Sequence, residues 1–124
     1  MSEKKGRILV IDDEPSVADA LRLILEDQGF CVDVAATGRA GIERARQNHL
    51  SLSVTDLRLP DMSGFDVLTA ILNHNPSAIV IVITSHGTPE IFAEARARGA
   101  TGFLLKPFLP ADILQQINAA LKRD

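Results

Sequence analysis

Short apolar runs alternate with longer amphipathic stretches along this chain, and the cycle repeats five times. Few architectures satisfy that alternation. A short run that is apolar at nearly every position suits a strand buried on both faces, and such strands belong to parallel sheets covered by helices. Residues 7–11 are such a run, and Ile79-Val80-Ile81-Val82-Ile83, apolar and β-branched throughout, predicts an interior strand. Residues 31–35, 52–55 and 102–105 supply the others, with 52–55 the weakest pattern because Ser53 and Thr55 interrupt it.

The stretches between them read as helices. Pro15 suits a first helical turn, with Asp13 and Glu14 upstream at the positive helix end. Val17, Leu21, Ile24, Leu25 and Gln28 follow at helical spacing, and Gly29 is a stop. Thr37 can cap a second helix carrying Ile42 and Ala45. Ser63 with Asp66 resembles a capping box for a third, which holds Val67, Leu68, Ile71 and Leu72. Thr88-Pro89 opens a fourth that Gly99 ends, and Pro110 opens a fifth with Ile113, Leu114, Ile117, Ala120 and Leu121 on one side. The expected class is α/β: a (βα)5, doubly wound parallel sheet with helices on both faces. At 124 residues, 1–124 form one domain with a core of about 6–122.

Composition narrows the function. A net charge of −3 with scattered Lys and Arg excludes a nucleic-acid-binding surface of the usual kind. The close basic pairs, Arg96 with Arg98 and Lys122 with Arg123, read as solvated helix faces. Cys31 is the sole cysteine, so no intrachain disulfide forms; it reads as a small buried strand residue. The start Met1-Ser2-Glu3-Lys4-Lys5 shows no signal peptide, and no apolar run approaches a membrane span. The expectation is a cytoplasmic protein with no membrane contact.

Acidic residues stand where predicted strands end: Asp12 and Asp13 after the first, Asp56 after the third. Packing does not account for them. Two like charges about 4 Å apart repel by roughly 4 kcal/mol at an effective dielectric near 20. Gathered together, they call for a cation, a proton or a reaction. Thr84 and Lys106 follow the fourth and fifth runs. In open α/β sheets sites form beyond the carboxyl ends of strands, so all five residues can converge on one edge to handle a phosphoryl group. Taken singly each has a plainer account. Asp13 and Glu14 could be helix-terminus acids, Asp56 a turn residue, Thr84 a hydroxyl bonded to backbone, and Lys106 a solvated strand end.

The runs Ile11-Asp12-Asp13-Glu14, Asp56-Leu57-Arg58-Leu59-Pro60-Asp61-Met62-Ser63-Gly64, Ile83-Thr84-Ser85 and Lys106-Pro107-Phe108 resemble, in order and spacing, the receiver domain of two-component response regulators. The resemblance covers essentially the whole chain. It implies the flavodoxin-like strand order 2-1-3-4-5 and a cis Lys106-Pro107 bond. It also implies a phosphoacceptor function in which a sensor histidine kinase or phosphotransfer protein delivers a phosphoryl group to Asp56. Asp13 and Asp56 would ligate Mg²⁺, with Asp12 acting through a water and the Arg58 backbone carbonyl as a further ligand. Lys106 and Thr84 would bind phosphoryl oxygens. Thr84 and Phe103 would form the switch that remodels the face made by helix four, strand five and helix five, residues 88–122, for a downstream effector or a homodimer mate. In this reading the chain is not an enzyme beyond its own phosphotransfer and dephosphorylation.

Some positions depart from the family pattern. Phe103 lacks the hydroxyl of the tyrosine often found there, and Ser51 and Ser53 make strand three more polar than usual. Arg58 and His86 occupy positions where the family tunes phosphoryl lifetime; His86 reads as an exposed loop residue, and His49 and His74 have no ligand spacing. Competing readings stay in view. A pseudo-receiver interaction module would be expected to lack one of the five residues. An aspartyl-phosphate phosphohydrolase would be expected to carry an acid two residues after Asp56, where Arg58 stands. A flavin or dinucleotide module would want a glycine-rich turn after strand one. Both a stand-alone receiver and a piece of a longer regulator fit the chain.

Overall fold

In the computed structural model, which describes residues 5–122, every hydrogen-bonded strand pair is parallel. The strands are β1 (Arg7–Ile11), β2 (Cys31–Ala35), β3 (Leu52–Asp56), β4 (Val80–Thr84) and β5 (Gly102–Leu105). Between and after them run α1 (Pro15–Asp27), α2 (Gly38–Gln47), α3 (Gly64–His74), α4 (Pro89–Ala97) and α5 (Pro110–Leu121). The sheet order is β2-β1-β3-β4-β5, the order the resemblance implies. Met1 to Lys4 and Arg123, read above as a polar start and half of a basic pair, lie outside the described residues.

Side chains alternate across a strand, so sequence parity sorts them between the two faces. Ile8, Val10, Leu52, Val54, Ile81, Ile83 and Leu104 pack with Leu21 and Leu25 of α1 and Ile113 and Ile117 of α5. Leu9, Ile11, Val80 and Val82 pack on the other face with Val67, Leu68 and Ile71 of α3 and Ala95 of α4. Each fully buried Leu or Ile contributes about 1.5–3 kcal/mol. β3 lies between β1 and β4 with helices over both faces, so it is buried at every position despite its serine and threonine.

The helix ends follow the sequence with one exception. Thr37 and Thr88 accept N–H groups of Ala40 and Ile91 as caps, and Gly29 and Gly99 take φ of 99° and 105° just past α1 and α4. The box expected at Ser63 does not close. Ser63 Oγ accepts from Phe65 N–H at 3.1 Å, one residue too early, and Asp66 N–H goes to the Ser63 carbonyl. Cys31 is half-buried rather than buried, because β2 lies at the sheet edge, where a strand has one neighbour instead of two.

Candidate functional site

Parity also decides which strand-end side chains meet. Asp12 continues the Ile8, Val10 series, Asp56 continues Leu52 and Val54, and Lys106 follows Leu104, so all three leave the sheet toward α1 and α5. Thr84 continues Val80 and Val82 and leaves toward the opposite layer. All four sit at the carboxyl edge, with Asp12, Asp56 and Thr84 buried and Asp13 exposed.

Lys106 is the hub. Its Nζ lies 2.9 Å from Asp56 Oδ2, 2.9 Å from Asp12 Oδ2 and 3.0 Å from Glu14 Oε1. The contacts to Asp56 and Glu14 are well-formed hydrogen bonds. The contact to Asp12 is close but badly angled, and Asp12 Oδ2 remains a buried carboxylate oxygen without a donor. Its partner Oδ1 accepts the Glu14 N–H at 2.9 Å. Burial pushes the Asp12 carboxyl above its usual range, and the Asp56 charge adds to the rise; the Glu14 N–H and Lys106 oppose it. Burial alone would depress Lys106, but the three carboxylates around its ammonium, Asp56, Asp12 and Glu14, outweigh that and raise it.

Asp56 is held from several sides. Arg58 N–H donates to its Oδ1 at 3.1 Å and Thr55 Oγ1 donates to its carbonyl at 3.0 Å. Gly64, the first residue of α3, packs so tightly that a Cβ there would collide with the Asp56 carbonyl oxygen and come within 2.7 Å of Leu57 Cα. That contact is the physical reason for glycine at the end of the Asp56–Gly64 run. Lys106 is joined by a cis bond to Pro107, and its N–H donates to the Thr84 carbonyl at 2.8 Å. Thr84 Oγ1 accepts the His86 N–H at 3.1 Å, while His86 is exposed, as expected.

Carboxylate oxygens of Asp12, Asp13 and Asp56 lie within 4.8 Å of one another. Hard oxygen donors at this spacing, one of them orphaned and buried, fit a divalent cation of the Mg²⁺ type. The Arg58 side chain is exposed. Beside the acids opens a cleft of about 430 Å³ lined by Glu14, Ser16, Val17, Ala20, Ser85, Lys106, Pro107 and Phe108. His49 and His74 line a separate cleft of about 300 Å³ at the far end of β3 with Ser53, away from this site.

Two residues escaped the sequence reading. Glu14, read only as a helix-terminus acid, is the third partner of Lys106; its place directly after Asp13 was the available signal. Asp61 accepts Gly38 N–H at 2.8 Å and Arg39 N–H at 2.9 Å, capping α2 from the β3–α3 loop. Those two bonds hold its carboxyl below the usual range. Arg96 and Arg98 are exposed but not idle. Arg98 pairs with Glu94 at 2.8 Å and sits over Phe65, and Arg96 sits over Phe103.

Comparison with known proteins identifies the family and the fold. The sequence model of the response regulator receiver domain matches residues 8–118. Over 116 residues the chain is 32% identical to the probable transcriptional regulatory protein TcrX of Mycobacterium tuberculosis, covering 94% of this chain and 50% of that protein. The chain thus spans about half the length of that relative. A receiver domain protein (CheY-like) from Methanospirillum hungatei superposes with a TM-score of 0.89 at 32% identity, covering 97% of this chain and 94% of that one. The beryllofluoride-activated NtrC4 receiver domain dimer gives 0.89 at 35% identity, covering 94% and 96%. With its strand order, its edge of acids and a family match over nearly its whole length, the chain belongs to the response regulator receiver domains of two-component systems.

Proposed function

We propose that this chain accepts a phosphoryl group on Asp56. The observation that carries the reading is the Lys106 ammonium 2.9 Å from both Asp56 and Asp12, beside a third acid, at the carboxyl edge of the sheet. In the transfer, an Asp56 carboxylate oxygen forms a bond to phosphorus. The P–N bond of a kinase phosphohistidine breaks, and the imidazole nitrogen keeps its electron pair and takes a proton from solvent. Asp56 loses its charge as a carboxylate and the phosphoryl group brings its own, which Lys106 is placed to meet. The Thr84 hydroxyl, one strand away, would donate to another phosphoryl oxygen.

Asp12, Asp13, Asp56 and the Arg58 carbonyl would hold Mg²⁺. When bound, the ion supplies positive charge to the transferring phosphoryl oxygens and offsets the repulsion among the acids. The new charge at Asp56 then biases Thr84, Phe103 and the face formed by α4, β5 and α5 toward a form that binds an effector or a second copy. The receiver dimer of activated NtrC4 supports the second option. A kinase-fed acceptor of this kind works in the cytoplasm; among the described residues no helix is long and apolar enough to cross a membrane.

Incubation with acetyl phosphate and Mg²⁺ followed by intact mass tests the reading. A phosphoryl adduct that disappears in Asp56→Asn supports it. No adduct and no Mg²⁺ binding sinks it in favour of a phosphorylation-independent interaction module. Rapid turnover of many phosphomonoesters would instead mark a hydrolase.

A further inference from the structure

Phe103 has no hydroxyl with which to anchor itself at the surface, yet its ring is firmly held. The Phe92 ring of α4 stacks on it with centroids 4.4 Å apart and planes 13° from parallel. The Arg96 guanidinium covers Phe103 at 5.3 Å from the ring centre. Phe92 is itself wedged: a Cβ on Gly87 would collide with Phe92 Cζ and come within 2.8 Å of its Cε2. Gly87 is the third residue after Thr84, in the loop whose His86 N–H is accepted by Thr84 Oγ1. Thr84 and Phe103 share a sheet face, since Phe103 pairs in register with Val82, two residues before Thr84.

We infer that Phe92 is a positioning residue that latches Phe103 in its resting place and ties it to the Thr84 loop. The inference rests on the phosphoacceptor reading above for what releases the latch. A turn of the Thr84 hydroxyl toward Asp56 removes the acceptor from the His86 N–H, loosens residues 85–87 and withdraws the surface against which Phe92 is wedged. The stack then opens, and Phe103 moves toward the space that Thr84 leaves. In this chain ring stacking and the Arg96 cation take the place of a tyrosine hydroxyl. A stack of this kind shifts a two-state equilibrium by about two- to tenfold.

The test uses the chain labelled with 4-fluorophenylalanine, with the Phe103 ¹⁹F signal assigned through Phe103→Leu. The readouts are the H₂O/D₂O solvent isotope shift of that signal, which reports exposure, and the midpoint of a beryllofluoride titration in Mg²⁺. Phe92→Leu keeps an apolar side chain but loses the stack. It is expected to lower Phe103 exposure before any beryllofluoride is added and to move the midpoint about two- to tenfold lower. Phe92→Tyr keeps the stack and stays near wild type. An unchanged Phe103 exposure in Phe92→Leu, or a weaker midpoint, overturns the latch. A wild-type chain that takes neither phosphoryl nor beryllofluoride sinks the phosphoacceptor reading instead, and Phe103 exposure in Phe92→Leu still decides whether the stack holds the ring.

Discussion

Lys106 Nζ stands 2.9 Å from Asp56 Oδ2 across a sequence separation of 50 residues, and it is the only cation among the described residues paired with either Asp56 or Asp12. Lys106→Ala therefore has opposite effects on two measurements. Loss of a positive charge beside the acids is expected to tighten Mg²⁺ binding about tenfold by calorimetry. Loss of the donor for the incoming phosphoryl is expected to slow adduct formation from acetyl phosphate by at least about tenfold. An unchanged adduct rate would remove Lys106 from the chemistry.

Glu14 shares that ammonium but is more than half exposed, with its side chain at 58%. Solvent screens such a pair, which is worth roughly 0–1 kcal/mol. Glu14→Gln is expected to change the adduct rate by less than about fivefold, while Asp12→Ala, at a buried position, changes both Mg²⁺ affinity and rate far more. Equal losses in the two variants would place Glu14 among the ligands.

Gly64 has no room for a methyl group beside the Asp56–Leu57 backbone. Gly64→Ala is expected to cost about 1–3 kcal/mol in denaturant unfolding, the usual range for overpacking. Because the displaced atoms carry Asp56, the adduct rate should fall in the fraction that remains folded. Wild-type stability in this variant would contradict the tight contact.

The Asp61 cap gives stability a defined pH dependence. Its carboxyl is held below the ordinary value of 3.8 by the Arg39 and Gly38 N–H groups, so the unfolded chain binds the proton first as pH falls. The contribution is fully present above 3.8 and is lost as the pH drops through the lower folded value. Asp61→Ala should melt at a lower temperature than wild type at pH 7, and the gap should close below that range. A gap that persists at low pH would mean the cap is not the cause.

The strands were legible because each is a buried run and burial leaves a period in the sequence. The acids were legible as a group because nothing in packing explains them at strand ends. Strand order was not written in any local pattern; it came only through the resemblance, since order depends on which helix covers which face. That Cys31 is half-buried and not buried was illegible for the same reason: an edge strand and an inner one look alike until the order is known. Ser63 missed its box by one residue, within the usual uncertainty of helix ends. Asp61 reaches Gly38 across a separation of 23 residues and the Phe92–Phe103 stack joins α4 to the strand after it, and only the folded geometry brings either pair together.

Asp12, Asp56 and Lys106 leave the sheet on one side, while Thr84 and Phe103 leave on the other. On the proposed function the sheet would thus be a partition, with the reaction in one room and the message in the next, and the turn of the Thr84 hydroxyl would be the doorway. A single-residue insertion within β4 would turn Thr84 to the other face of the sheet and close that doorway while leaving Asp12, Asp56 and Lys106 in place. Such a chain would still take up charge but would have nothing to say.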